Sequence, residues 1–148
     1  MRIPRTPLGG PKDAIRGHAG CSGQMDLELH QLDRRYEALR TRSARRERHL
    51  LSSISEVGQQ EPIIVVRDGG GRVVVDGYKR VRVLNRLGVD TVSAFCWSLQ
   101  EDEGLLMQRM LQEGSAPNAL EMGWLLLELR NRFGHSESEL ARRLCKSK

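Results

Sequence analysis

The chain has 148 residues, 39% of them hydrophobic, which is enough for one domain with a hydrophobic core, or a small domain plus part of another. This composition excludes a wholly disordered protein. The sequence has no apolar run of about 18 residues and no secretory signal, so we expect a cytoplasmic protein with no membrane partner. The net charge of +5 favours a polyanionic partner, because lysine and arginine contacts with phosphates release counterions.

The N-terminal part of the chain changes from glycine- and proline-rich to arginine-rich. Residues 1–25 contain few apolar side chains to offset the entropy of ordering them, so we expect a flexible tail. Arginines then accumulate between Leu27 and Arg48, which indicates either a solvated helix face or a face that contacts phosphates. The candidate DNA-contacting residues in this stretch are Arg42, Arg45 and Arg46.

The next part of the chain predicts a helix followed by a β-hairpin. Apolar residues at helical spacing predict a helix that ends near Val57, immediately before Gly58. Two runs of β-branched residues, 62–67 and 72–76, then predict strands. The residues between them, 68–71, include three glycines, which tolerate the positive φ that tight turns require.

A second helix and a third strand are predicted after the hairpin. Val81 and Leu84 lie at helical spacing before Gly88, and residues 91–97 form another short run typical of a strand. The predicted fold class is α+β, with a helix, three short strands with an intervening helix, and a helical C-terminal half. The expected core residues are Leu51, Ile54, Val57, Ile63, Val65, Val73, Val75, Val81, Leu84, Leu87, Val92, Phe95, Leu106 and Leu111.

Three sequences in the C-terminal half have the form of a capping box. In this motif, a side chain at the helix start and another three residues later each satisfy a free backbone N–H. The boxes begin at Ser98, Asn118 and Ser136, and they predict three helices. Gly134 marks the expected end of the second of these helices.

The three cysteines are widely spaced and suit neither a disulfide framework nor a zinc site. We therefore expect reduced thiols and no bound metal ion. Cys96, within the third predicted strand, is expected to be a small core residue.

The most informative stretch, residues 73–82, indicates an anion site. A strand runs into Gly77 and then into a helix whose first turn is basic. Cations at this end of a helix oppose its macrodipole unless a bound anion compensates them, and glycine lets a phosphate approach the backbone. The predicted phosphate-binding residues are Gly77, Lys79, Arg80 and Arg82. The alternative is that these basic residues are ordinary solvated residues of a surface helix.

Two short motifs stand out in the middle of the chain. The first consists of Ser53-Ile54, Gly58 and Glu61 to Val65, and the second runs from Val75 to Arg82. Together they resemble the N-terminal domain of the ParB family of partition proteins, whose fold is shared with sulfiredoxin. In that family the patterns are approximately S-I-x-x-x-G-x-x-Q-P-I-x-V and G-E-R-R-x-R-A. The resemblance covers about residues 30 to 148 and implies a small domain with a short mixed sheet and helices over residues 26–113.

The resemblance implies that the second motif binds the triphosphate of CTP, with Mg²⁺, through the residues predicted above to bind phosphate. Tyr78 stands where the family has glutamate, and Glu61 where it has glutamine. The family's third motif, E-N-x-x-R, aligns with residues 109–113, which contain none of its three defining residues in place. We therefore expect an altered nucleotide site and assign no catalytic residue.

The end of the chain resembles the beginning of the ParB helix-turn-helix domain. Residues 119–133 correspond to a lead-in helix and residues 136–144 to the first helix of the motif, and the sequence ends in the turn that follows. We expect residues 114–148 to be an all-α, truncated helix-turn-helix segment without the recognition helix that reads base edges. DNA contact should then be non-specific, with Arg142, Arg143 and Lys146 as further candidates.

Three classes of function are open. The favoured one is a ParB-like DNA-associated protein, acting at the nucleoid in chromosome or plasmid partition or in transcriptional regulation, for which the resemblance implies a homodimer. The second is a CTPase-like or nuclease-like enzyme, which is disfavoured because Mg²⁺-assisted phosphoryl chemistry needs carboxylates that the Gly77 motif lacks. The third is a protein-interaction module with a decayed nucleotide site.

Overall fold

The computed structural model describes residues 23–111 and 119–145, which form a five-stranded sheet with helices, an α+β architecture as predicted. No helix within these two ranges is long and apolar enough to cross a membrane. Short 3₁₀ turns precede and follow the second strand. The strands are β1 (Gly23–Glu28), β2 (Leu32–Asp33), β3 (Ile63–Asp68), β4 (Gly71–Asp76) and β5 (Thr91–Trp97). The helices are α1 (Ala44–Val57), α2 (Tyr78–Arg86), α3 (Glu101–Leu111), α4 (Ala119–Phe133) and α5 (Glu137–Cys145).

The sheet is mixed, in the order β1-β5-β3-β4-β2. β3 and β4 form the predicted antiparallel hairpin, in which Asp68 lies opposite Gly71. β5 adds to the other side of β3 in parallel, and α2 provides the connection from β4 to β5. This arrangement places the start of α2 directly at the end of β4, where the anion site is predicted.

The predicted number of three strands is wrong, because β1 and β2 were not anticipated. β1 pairs antiparallel with β5 and β2 parallel with β4, so both strands lie at sheet edges. Only one face of β1 is partly covered, and its two apolar residues, Met25 and Leu27, are a weak strand signal. β1 begins at Gly23, within the segment predicted as a tail, and residues 1–22 lie outside the described part of the chain.

Most of the predicted core is confirmed, with two errors at helix ends. Val57 is the last residue of α1 and is 61% exposed, and Leu87 caps α2 and is 38% exposed. Both precede a glycine at which the chain leaves the helix, so neither is held against the sheet. Trp97, at the end of β5, is a large buried residue that the predicted core lacks. The confirmed buried residues are Ile54, Ile63, Val65, Val73, Val75, Val81, Leu84, Val92, Phe95 and Leu106, and Leu51 and Leu111 are partly buried.

Two of the three predicted helix starts fall on described residues. Ser136 caps α5 as predicted, because its hydroxyl oxygen accepts a hydrogen bond from the backbone N–H of Glu139 at 3.1 Å. The predicted start at Ser98 is wrong, since α3 begins at Glu101 and the buried Ser98 hydroxyl has no hydrogen-bond partner in the described structure. Asn118 lies outside the described residues.

Cys96 is fully buried in β5, as expected of a core residue. The expectation of a reduced thiol is wrong at this position, because Cys96 is disulfide-bonded.

The C-terminal helices pack onto the sheet domain through α3. Leu129 of α4 and Leu140 of α5 are buried in the common core. Between the two helices, His135 lies with Nε2 2.8 Å from a carboxylate oxygen of Asp102 and Nδ1 3.4 Å from one of Glu139. The turn between α4 and α5 is thereby held next to the beginning of α3.

Candidate anion-binding site

The turn at Gly77 joins a strand directly to a helix, as predicted. β4 ends at Asp76 and α2 begins at Tyr78, with Gly77 at φ 104° and ψ 24° between them. A Cβ atom on Gly77 would lie 2.6 Å from Cγ2 of Ile63, so both the backbone angle and the packing require glycine. No side chain caps α2, so its first N–H groups are available to a ligand.

A cleft of about 870 Å³ lies at this helix start. Its wall combines the segment before α1, one side of α1, the first turns of α2, the loop before β3, and residues of α3 and α4. Six basic side chains line it against three acidic ones, so the cleft carries an excess of positive charge. The basic residues are Arg40, Arg46, Lys79, Arg80, Arg82 and Arg109, and the acidic residues are Glu61, Asp76 and Glu121.

Lys79 is the predicted residue that is best placed to meet an anion. Its ammonium makes no hydrogen bond or ion pair with the described residues. Burial lowers its pKa, and the neighbouring guanidinium groups, that of Arg46 above all, lower the pKa further. A negatively charged ligand would offset both the cost of burying the ammonium and its repulsion by the guanidinium groups.

Arg80 lines the cleft, but its guanidinium is already engaged by the protein. Nη1 donates to the backbone carbonyl oxygens of Glu61 at 2.9 Å and Pro62 at 2.8 Å. Nη2 lies 3.5 Å from a carboxylate oxygen of Asp76. Arg80 therefore fastens the loop before β3 to α2 and forms the wall of the cleft.

Arg82 is likewise committed to carboxylates. It donates to Glu47 of α1 from Nε at 3.1 Å and Nη2 at 2.9 Å, and it also contacts Glu37. Glu47 is 3% exposed, and hydrogen bonds from Arg42 and Arg82 lower its pKa to about 2. These contacts hold α1 against α2, so Arg82 helps to fix the position of the helix that begins after Gly77.

Tyr78, which stands where the family pattern has glutamate, belongs to the core. Its side chain is 5% exposed and its hydroxyl donates to the carbonyl oxygen of Val74 at 2.7 Å. Burial raises its pKa, so the hydroxyl stays neutral. This position therefore contributes packing to the site and no charge.

Two arginines of the cleft were missed by the sequence analysis. The side chain of Arg109 in α3 is only 7% exposed, and its Nη2 lies 3.7 Å from Oε1 of Glu121. Nε of Arg40 lies 3.8 Å from the same oxygen. Neither the Arg40 Nε nor the Arg109 Nε has a hydrogen-bond partner in the described structure. Burial and the nearby Arg40 lower the pKa of Arg109.

Glu121 of α4 closes this side of the cleft. One of its carboxylate oxygens accepts hydrogen bonds from the backbone N–H of Thr41 at 2.7 Å and from the Thr41 hydroxyl at 2.6 Å.

A signal for Arg109 was present in the sequence, since it follows the apolar pair Leu105-Leu106 at helical spacing and so falls on the buried face of α3. Arg40 and Glu121 carry no comparable signal, because their proximity depends on how distant segments pack.

The residues predicted to contact DNA lie on two helices and before them. Arg45 and Arg46 are exposed in the first turn of α1, and Arg46 also lines the cleft. Arg42 is largely exposed but donates to Glu47. On α5, Arg142 is exposed and Arg143 lies 4.0 Å from Glu139, while Lys146 is outside the described residues.

A sequence model of the ParB N-terminal domain matches residues 18–113, well over half of the chain. No curated protein matches the chain. Three similar solved structures illustrate the fold. Sulfiredoxin from Arabidopsis thaliana has 22% identity, with 55% of this chain and 91% of that chain covered, and a TM-score of 0.51. C-terminally truncated ParB from Caulobacter crescentus complexed with CTP-gamma-S has 24% identity, coverages of 82% and 71%, and a TM-score of 0.55.

The same truncated Caulobacter ParB, complexed to the centromeric parS site, has 20% identity, coverages of 82% and 64%, and a TM-score of 0.50. At these identities the structural similarity shows the fold alone. The family match extends over the hairpin, Gly77 and all of α2, where the sequence motifs had indicated it. The chain therefore belongs to the ParB N-terminal domain family and has the ParB/sulfiredoxin-like fold.

Proposed function

We propose that this chain is a partition-family module whose cleft at Gly77 binds the phosphate chain of a nucleoside triphosphate. The observation that carries the proposal is the excess of basic side chains around an uncapped helix start. The Caulobacter relative was solved with CTP-gamma-S, which makes CTP the first ligand to test. The site is an altered one, because Tyr78 and Arg109 occupy positions at which the family pattern has acidic residues.

Lys79 supports this proposal because its position is unfavourable for an empty domain. A cation in the first turn of α2 opposes the helix macrodipole, and here it also lies close to arginines. A sequence optimised only for stability would place Asp or Glu at such a position. A bound anion would attract both Lys79 and the helix start, and so would compensate these unfavourable interactions.

Replacing Lys79 with alanine is expected to weaken CTP binding about tenfold, since a hydrogen bond to a charged group contributes roughly 1.5–3 kcal/mol. The unliganded variant should unfold at the same or a higher denaturant concentration than the wild type, because a repelled cation is removed. Isothermal titration calorimetry with CTP and equilibrium denaturation measure the two effects.

The matched control for this variant is Arg86→Ala, which removes one positive charge from the exposed last turn of the same helix. It should leave CTP affinity unchanged within about twofold, because Arg86 does not line the cleft. Equal losses of affinity in the two variants would mean that only the net charge of the chain matters. Unchanged affinity in Lys79→Ala would contradict the proposed site.

We also propose that the module associates with duplex DNA through phosphate contacts. The support comes from the net charge, the exposed first turn of α1 and the partition family to which the chain belongs. Phosphate contacts position a protein on DNA without reading its sequence, so base-specific recognition is not part of this proposal.

For duplex DNA, the affinity is expected to fall steeply between about 50 and 200 mM salt. Arg45→Ala and Arg46→Ala should each reduce the slope of log affinity against log salt by about one. Arg42→Ala should have a smaller effect, because its guanidinium donates to Glu47. Fluorescence anisotropy with a labelled duplex measures the slope.

The control for the salt dependence is Arg67→Ala, at the exposed end of β3 away from α1. Its slope should equal that of the wild type. Affinity that does not change with salt, or slopes that are the same in all variants, would argue against DNA contact through α1.

A further inference from the structure

The carboxylates of the cleft are poorly suited to hold a divalent cation. Asp76 accepts a hydrogen bond from Gln108 at 3.2 Å and lies 3.5 Å from Arg80 and 3.7 Å from Arg40. Within the described ranges, no group of three or more His, Cys, Asp or Glu side chains could hold a metal ion. Mg²⁺ bound with a nucleotide normally takes one or two carboxylates from the protein.

The remaining two carboxylates of the cleft offer no better ligand set. Glu121 is shared by Arg40 and Arg109 and is hydrogen-bonded to Thr41. Glu61 is exposed, and its own backbone carbonyl is held by the guanidinium of Arg80. A divalent cation would therefore enter a cleft with excess positive charge and compete with arginines for two of its three carboxylates, those of Asp76 and Glu121.

Two guanidinium groups in the cleft lack enough acceptors. Arg40 and Arg109 share the carboxylate of Glu121, and Arg40 also lies 3.7 Å from a carboxylate oxygen of Asp76. Each nevertheless has a buried Nε–H without a hydrogen-bond acceptor in the described structure. Buried N–H groups are nearly always satisfied in folded proteins, so these two donors are available to an acceptor that the protein itself does not supply. Phosphate oxygens are acceptors of the right kind, since guanidinium groups bind them in a bidentate manner.

We propose that the cleft binds its nucleotide phosphates without a divalent metal ion, because Arg40 and Arg109 supply the positive charge that Mg²⁺ would otherwise bring. This inference rests on the proposed nucleotide site. On binding, the two guanidinium groups turn part of their N–H donors from Glu121 to phosphate oxygens. Lys79 and the start of α2 hold the other side of the phosphate chain.

The decisive experiment is calorimetric titration of the full chain with CTP in excess Mg²⁺ and, separately, in excess EDTA. We expect dissociation constants that agree within about threefold. Binding that is tenfold or more weaker in EDTA would overturn the metal-free inference and leave the nucleotide site intact. A chain that binds CTP in neither buffer would contradict the proposed function, and the inference with it.

Two variants test whether the arginines take the role assigned to them. Arg109→Gln and Arg40→Gln should each weaken CTP binding in EDTA about tenfold, as expected for the loss of a charged hydrogen bond. Arg40 is about one quarter exposed, so its replacement tests the inference even if the buried Arg109 variant fails to fold. Arg86→Ala serves again as the control. Wild-type affinity in EDTA for Arg40→Gln would overturn the assignment.

Discussion

Replacing Gly77 with alanine should destabilise the domain by about 2–4 kcal/mol and weaken CTP binding at the same time. The methyl group would lie 2.6 Å from Cγ2 and 2.9 Å from Cβ of Ile63, a residue that is fully buried in β3. In addition, φ of 104° is a conformation that alanine adopts only with strain. Relief of the overlap moves the start of α2, and with it the donors offered to phosphate. Equilibrium denaturation and CTP titration measure the two effects.

The control for this variant is Gly70→Ala in the hairpin turn, where the added Cβ would meet no atom within 4 Å. Its cost should be below about 1 kcal/mol. A second check uses Ile63→Ala as the background, in which part of the overlap is absent. If Gly77→Ala costs the same free energy there as in the wild type, steric overlap with Ile63 is not the cause.

The parts of the fold that sequence reasoning identified depend on local rules. The hairpin follows from two runs of β-branched residues on either side of a glycine-rich turn. The passage from β4 into α2 follows from Gly77, at which the spacing of apolar residues changes from that of a strand to that of a helix. The edge strands follow no such rule. β2 has only two residues and exists because β4 offers it a partner, so its own sequence contains almost no signal.

The candidate site divides in the same way. Gly77 and Lys79 were predicted from their position at one helix start, and the structure places both in the cleft. Arg82 was assigned to phosphate on the same basis, but it is committed to Glu47, which lies 35 residues earlier in the chain. The contribution of Arg109 depends on how α3 and α4 pack. Long-range ion pairs of this kind are decided by tertiary packing, which a single sequence does not show.

Glu47→Gln is expected to destabilise the domain by about 3 kcal/mol, because it leaves the guanidinium of Arg82 in a largely buried position without its main partner. Glu47 is 3% exposed and receives hydrogen bonds from both Arg42 and Arg82. The control is Glu56→Gln on the exposed face of the same helix, which should cost less than about 0.5 kcal/mol. Urea denaturation near neutral pH compares the variants.

The pH dependence of this difference identifies its cause. Folding lowers the pKa of Glu47 from 4.5 to about 2, so its contribution to stability is complete above the higher value. As the pH falls from the higher value through the lower one, the folded state also takes up the proton and the contribution is lost. The free-energy difference between the wild type and Glu47→Gln should therefore fall to less than about half by roughly pH 3. A difference that stays constant from about pH 6 to pH 3 would mean that amide packing is responsible, because the Glu47 carboxyl titrates in this range and the amide that replaces it does not.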